Sequence, residues 1–297
     1  MRAKQSLRKL AAEQKPLVAV AAHDALSARL IARAGFKAIA IGGSSMLASR
    51  YGLPDIGLAA LEEMVAGARD ILAATNLPVI IDGDDGYGDV KSVAHTIRTY
   101  ERIRVSGVVL EDQSRGTKQP GDDKPQGVVP VATMSSKLRA AAAARSDPDL
   151  LIIARTDAYH LEGLDGAMRR AERYLASGAD GIFIPRIRTV DELARVGKSF
   201  SGAYQMVGMF EAGKTPWLPP ADLHAMGYSQ VVYPAAVMLR MVHAIETALA
   251  DLKSFADGKR PLAPFPEQAA TRAALQEAMG YADWQAFEER LSHDDGA

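Results

Sequence analysis

A chain of 297 residues that is 48% hydrophobic and 24% charged can bury a large core, which excludes global disorder. Lys and Arg number 35 against 36 Asp and Glu, and this near-neutral balance gives no reason to expect nucleic acid or an anionic membrane as partner. Cysteine is absent, so disulfides, thiolate metal sites and a cysteine nucleophile are excluded, which fits a reducing compartment.

The chain opens with Arg2, Lys4, Arg8 and Lys9 but no continuous apolar core or small-residue cleavage site, so a secretory signal is not expected. No stretch reaches the roughly 18 uncharged apolar residues of a bilayer span, and the expected location is the cytoplasm. Short apolar runs then alternate with amphipathic stretches. Strands are expected at residues 17–20, 38–41, 78–81, 108–110, 150–153, 181–184, 204–207 and 230–233, runs that suit parallel strands covered on both faces. Helical patterns lie between them at residues 58–75, 90–105, 134–145 and 164–176. Gly35, Gly107, Gly178 and Gly227 each end a helical pattern just before a strand, as a helix-to-strand junction requires.

Repeated strand–helix units without a boundary linker predict an α/β fold, a single (β/α)8 TIM barrel with a C-terminal helical extension. An open doubly wound sheet fits less well, because no G-x-G-x-x-G follows the first strand. The barrel is expected over residues 1–258, with a helical tail at 259–297. Within the tail one helix is expected from Ala269 to Leu291, either as an oligomer contact or packed on its own barrel.

Barrel chemistry collects at the C-terminal ends of the strands. The third strand ends in Asp82-Gly83-Asp84-Asp85-Gly86-Tyr87-Gly88 and the fourth in Glu111-Asp112-Gln113, concentrating carboxylates at one rim. Hard oxygen ligands there suit Mg²⁺ or Mn²⁺, although the same glycine-rich stretch also reads as a solvated turn. Arg155 follows an apolar run and is placed either to grip a substrate carboxylate or to pair with the acidic rim. Gly43, Ser44 and Ser45 offer backbone N–H groups and hydroxyls for a carboxylate or enolate oxygen. The polar segment Ser114–Gly127 reads as a lid or as a plain solvated loop, and Lys118, Asp122, Asp123 or Lys124 would reach a substrate on closure.

This set of strand ends resembles the isocitrate lyase / phosphoenolpyruvate mutase superfamily. The resemblance rests on Asp82-x-Asp84-x-Gly86-Tyr87-Gly88, Glu111-Asp112-Gln113 and Ala154-Arg155-Thr156-Asp157-Ala158. It is supported by the segment from Ala22 to Ala28, by Gly52-Leu53-Pro54-Asp55, and by Glu211-x-Gly213-Lys214-Thr215-Pro216. It implies a (β/α)8 barrel and a homo-oligomer, a tetramer or dimer, often with an exchanged C-terminal helix. By the same resemblance Asp82, Asp84 and Glu111 hold Mg²⁺, Asp55 lies near the metal, and Arg155 grips a carboxylate. Gly43 to Ser45 hold the enolate end, while Lys118 and Glu211 join the catalytic set. A small-molecule carboxylate is then the partner, and neither nucleic acid nor membrane is expected.

Three departures bear on the reaction. Lyases acting on isocitrate or methylisocitrate resemble K-K-C-G-H or K-R-C-G-H in the lid, with the cysteine as the acid, where this chain reads Thr117-Lys118-Gln119-Pro120-Gly121. Their Pro-Glu after the sixth strand is here Pro185-Arg186, a cation suited to a further anionic group or an ion pair, and their Asn in the seventh strand is here Gly208. The expected function is a Mg²⁺-dependent carbon–carbon lyase acting through an enolate on a small 2-oxo or 2-hydroxy di- or tricarboxylate, most like an oxaloacetate decarboxylase. The alternatives are phosphorus–carbon chemistry of the mutase or phosphonopyruvate hydrolase type, in which Lys118 matches a lid lysine, and a non-catalytic carboxylate-binding barrel.

Overall fold

A computed structural model describes residues 6–119, 127–211, 213–261 and 265–294. Eight parallel strands, β1 (Leu17–Ala21), β2 (Ala38–Ile41), β3 (Val79–Asp82), β4 (Gly107–Glu111), β5 (Leu151–Arg155), β6 (Gly181–Phe183), β7 (Tyr204–Gly208) and β8 (Gln230–Tyr233), close into a barrel in chain order. Each expected strand is present: β2 and β8 match at both ends, and the other six differ at one or both ends by one or two residues. The helices in this part of the chain are α1 (Leu7–Gln14), α2 (Ala25–Arg33), α3 (Gly43–Tyr51), α4 (Leu61–Ala74), α5 (Val90–Arg102), α6 (Val131–Ala144), α7 (Tyr159–Leu175), α8 (Val190–Ser199) and α9 (Pro220–Met226). Three of the four junction glycines, Gly35, Gly178 and Gly227, take positive φ, whereas Gly107 is instead the first residue of β4.

Strand alternation divides the core. Ala19, Ala21, Ala38, Ala40, Ile80, Val109, Leu151, Ile153, Met206 and Val232 share one buried cluster with Leu7 and Leu10 of α1. Small residues on β1 and β2 facing larger ones elsewhere are what a filled barrel interior requires. Residues of the opposite parity, such as Val20, Ile39, Ile41, Ile81, Val108 and Ile152, pack against α2, α4, α5 and α6 through Ile31, Met64, Ile97 and Leu138. Both faces of the sheet are therefore apolar, the physical reason its strands read as continuous hydrophobic runs.

The chain divides into two compact units, Met1–Val237 and Met238–Ala297, against an expected junction near residue 258. The division falls just inside α10 (Ala236–Ala256), which α11 (Gln268–Ala278) and α12 (Tyr281–Asp294) follow. The single helix expected from Ala269 to Leu291 is thus two, separated at Met279 and Gly280. In the second unit Leu249, Phe255, Trp284, Phe287 and Leu291 stand exposed, with Trp284 and Phe287 edge to face at 6.3 Å. Among the described residues no helix is long and apolar enough to cross a membrane.

Candidate active site

The turn after β3 is built rather than solvated. Asp84 is buried with φ of +47°, its N–H donates to Asp82 Oδ1 at 3.1 Å, and its carbonyl accepts from Glu111 N at 2.8 Å. These bonds fix the ends of β3 and β4 side by side. Gly86 has φ of +81°, and a Cβ there would lie 2.4 Å from Val93 Cγ2, so a side chain is excluded twice over. Asp85 leaves the cluster: its carboxylate takes Lys137 Nζ at 3.1 Å and Arg115 Nη2 at 3.3 Å.

Asp84 from the turn after β3, Glu111 at the end of β4 and Asp55 from the segment after α3 converge on Lys118. The Lys118 ammonium, its side chain only 8% exposed, pairs with Asp84, lies 2.9 Å from Asp55 Oδ1 and 3.6 Å from Glu111 Oε1. The segment carrying it is anchored by Arg115, which donates to the carbonyls of Gly57 and Ala59 at 2.9 Å each. Burial, reinforced by the charge of Asp82, raises the Asp84 carboxyl to about 6 despite Lys118. Burial likewise raises Glu111 to about 8 against the opposing pull of Arg155 and Lys118. The same carboxylates hold Lys118 above its ordinary value although burial works against its charge.

Arg155 pairs with the acidic rim, as one of its two expected placements has it, and it also faces open space. It lines the main cavity, and it is held in place by Asp157, through Nε at 2.8 Å and Nη2 at 2.9 Å, and by Glu111 Oε2 at 3.0 Å from Nη1. Asp157 also accepts from Arg186 Nη1 at 2.7 Å. Arg186 therefore both lines the cavity and sits in an ion pair, with a positive φ of +67° at the end of β6. Asp157, absent from the expected site, is the hub that orients both guanidiniums. Burial would raise its pKa, and Arg155 with Arg186 reverses this and holds the carboxyl below the ordinary range. Asp112, expected at the acidic rim, instead points into a buried network under β5. It accepts from Thr156 Oγ1 (2.8 Å), Asp157 N (2.9 Å) and Tyr174 OH (2.8 Å), and Arg170 lies at 3.2 Å.

The cavity at the C-terminal ends of the strands measures about 220 Å³, a size for a small metabolite. Asp55, Asp82, Ser44, Arg155 and Arg186 line it, as do Lys214 and Thr215, which the sequence reading placed in a supporting motif only. The first turn of α3 faces it through Gly42 and Ser44; the first N–H groups of a helix have no intrahelical partner, and no side chain at Gly42 caps them here. Gly43 packs within reach of Asp82, while Ser45 turns aside and bonds the Pro234 carbonyl at 3.3 Å. Asp84, Glu111 and Lys118 lie in a crevice beside Gln113 and Arg115, apart from the cavity walls. Glu211 is exposed and lines neither space. Asp122, Asp123 and Lys124 lie outside the described residues.

As the side chains stand, no group of three carboxylates or imidazoles among the described residues is set to hold a metal ion. The donor set nevertheless fits one. Asp55, Asp82, Asp84 and Glu111 bring four hard oxygen-donor groups close to one another beside Lys118. The buried Gln113 amide beside them has no hydrogen-bond partner among the described residues. A hard divalent cation with its waters suits both.

Comparison with known proteins places the chain in a family. The phosphoenolpyruvate phosphomutase family matches residues 7–253. The chain is 39% identical to 2,3-dimethylmalate lyase of Eubacterium barkeri over 246 residues, 83% of each chain. It is 33% identical to 2-methylisocitrate lyase of Bacillus subtilis (strain 168), covering 96% of this chain and 92% of that one. A solved oxaloacetate acetylhydrolase bound to the inhibitor 3,3-difluorooxalacetate superposes with a TM-score of 0.85 at 28% identity, over 97% of both chains. A barrel closed in chain order, with an acidic β3–β4 rim facing Arg155 and relatives of this extent, establishes that the chain belongs to the phosphoenolpyruvate phosphomutase family of the isocitrate lyase / phosphoenolpyruvate mutase superfamily.

Proposed function

We propose that the chain is a divalent-metal-dependent carbon–carbon lyase acting through an enolate on a small 2-oxo or 2-hydroxy di- or tricarboxylate, with oxaloacetate decarboxylation as its reference reaction. The observation that carries this is the meeting, in one cavity, of the α3 N-terminus, Asp82 and Arg155. Arg155, fixed by Asp157, holds a substrate carboxylate, and the N–H groups at Gly43 to Ser45 receive the oxygen that becomes the enolate. In oxaloacetate the C3–C4 bond breaks, carbon dioxide leaves, and the electron pair remains as pyruvate enolate, which takes a proton at C3. Asp82, Asp84 and Glu111, with Asp55 nearby, would hold Mg²⁺ or Mn²⁺, which would supply positive charge against a developing enolate. The exposed apolar side chains of the second unit support assembly of the chain with copies of itself, as a dimer or tetramer.

The test is NMR of the protein with Mg²⁺ and oxaloacetate, methylisocitrate, dimethylmalate and phosphonopyruvate, beside Asp84→Ala. Carbon–carbon cleavage faster in wild type than in Asp84→Ala supports the reading. A second reading, phosphorus–carbon cleavage, draws on the Lys118 ammonium inside the carboxylate cluster, since a lid lysine is the feature by which the chain resembles that branch. A ³¹P change confined to phosphonopyruvate would establish it instead. Silence with every compound would overturn both and leave a carboxylate-binding barrel.

A further inference from the structure

The turn from β5 into α7 is held from outside the cavity. Asp112, fully buried, takes the Asp157 N–H at 2.9 Å and the Thr156 hydroxyl at 2.8 Å, and its own N–H donates to the Arg155 carbonyl at 3.1 Å. One residue at the end of β4 thus fixes the backbone on both sides of the Arg155–Asp157 pair. Behind Asp112 stands Arg170 of α7, itself only 7% exposed. Its Nη1 lies 3.2 Å from Asp112 Oδ2 and donates to the Val129 carbonyl at 2.8 Å. Its Nε and Nη2 donate to Glu162 at 3.0 and 2.6 Å.

These partners come from three segments. Glu162 precedes the break in α7 at Gly163 and Arg170 follows it, so their pair spans the break. A Cβ at Gly166 would lie 2.3 Å from Glu162 Cβ, and its absence leaves Glu162 room to fold back toward Arg170. Val129 donates its own N–H to the Asp112 carbonyl at 2.8 Å. Next to it, Val128 bridges Gln113 and the Gly127 carbonyl takes the Ser114 N–H at 2.7 Å, a pairing at the base of the segment that carries Arg115 and Lys118. One guanidinium therefore ties the turn bearing Asp157 to the segment bearing Lys118. A buried ion pair adds little net stability over apolar side chains of the same volume, so stability alone gives no reason to bury a guanidinium here.

We propose that Arg170, which lines neither the cavity nor the Lys118 crevice, is a positioning residue that sets Asp157, and through it Arg155, in register with the Lys118 segment. The inference deepens the lyase reading and rests on it for what Arg155 grips, while the positioning stands on the hydrogen bonds.

Hydrogen exchange of the full chain without ligand, beside calorimetric titration of oxalate at fixed Mg²⁺, tests it under conditions where the variants are folded. In Arg170→Met, Asp112 loses the charge that holds it. The Asp157 and Val129 N–H groups should then exchange at least about tenfold faster, the size of one charge-assisted hydrogen bond, while the β2 amides keep their rates. Oxalate should bind about tenfold more weakly, as when a binding group loses the partner behind it. Arg170→Lys keeps a cation beside Asp112 but cannot span Glu162 and Val129 together, so it should recover Tm without recovering either readout. Arg145→Met is the control: it breaks the pair with Asp180 near the opposite end of β5, and should lower Tm while both readouts stay at wild-type values. Unchanged exchange at Asp157 and Val129 in Arg170→Met, full rescue of both readouts by lysine, or the same losses in Arg145→Met would overturn the proposal. Should Arg170→Met not fold, Arg170→Lys decides it on the same two amides. Exchange needs no ligand, so a wild type that binds no oxalate counts against the carboxylate grip of the lyase reading and leaves the positioning to be decided by exchange.

Discussion

Asp157→Asn removes a charge from the most enclosed carboxylate of the site. The Asp157 side chain is fully buried and takes two hydrogen bonds from Arg155 and one from Arg186. Losing one partner of a buried ion pair costs about 3–5 kcal/mol, because the other charge is left without compensation. Here the lower end applies, since Arg155 keeps Glu111 at 3.0 Å and Asn still accepts one hydrogen bond. A loss of about 3 kcal/mol corresponds to a drop in Tm of about 6–12 °C for a unit of this size. The pH dependence provides a second check. The Asp157 carboxyl is held below its ordinary value, so its stabilisation is present above the unfolded pKa of about 3.9 and is lost as pH falls toward the folded value. Urea unfolding at pH 7 should show the full gap between wild type and variant, and the gap should narrow in acid below about pH 4. Affinity for oxalate should fall with stability, because Arg155 is no longer fixed. A gap under about 1 kcal/mol at pH 7, with oxalate affinity retained, would refute the role of Asp157 as the hub.

Asp84 and Glu111, raised to about 6 and about 8, must shed protons to bind a cation, so Mn²⁺ affinity should rise from pH 5.5 to pH 8.5; a flat titration would contradict the metal assignment. In chelator the folded state binds more protons than the unfolded one across the same interval. Unfolding free energy should therefore fall as pH rises from about 4 to about 8, and Mg²⁺ should offset the loss. Lys118→Met removes the ammonium that occupies the cluster, and Mn²⁺ should bind at least about tenfold more tightly by electron paramagnetic resonance titration; weaker binding would show that Lys118 helps to hold the ion instead. Gly86→Ala places a Cβ 2.4 Å from Val93 Cγ2 at a positive φ, and should cost more than about 1 kcal/mol in urea unfolding.

The strands were legible because a parallel barrel buries both faces of each, which writes β-branched apolar runs into the chain. The start of α7 at Tyr159 was not. Gly163, non-helical with φ of +68°, interrupts the pattern, so the periodicity becomes regular only from Leu164. At the site, motif spacing was enough to single out Asp82, Asp84, Glu111 and Arg155. It carried no information on which way each carboxylate turns. Asp85 and Asp112 look like further rim residues in the sequence, yet one is taken by Lys137 and the other by Arg170, Tyr174 and Thr156. Asp157 stood in plain view two residues after Arg155. The signal that would have found it is that a guanidinium leaving a buried strand needs a carboxylate within reach.

By itself the sequence determined the barrel and the superfamily and marked a rim rich in polar side chains, because each is written in local pattern: apolar runs of strand length, junction glycines, and polar residues just past a strand end. Tertiary structure alone decided which of those polar groups share a cavity and which are spent on holding the barrel together. It decided that Arg155 and Arg186 turn on one buried carboxylate, and that Gly208 in β7 lies beside the rings of Phe183 and Phe210. Those relations join residues far apart in the chain, and only closure of the strands into a ring brings their side chains within a few ångströms of one another.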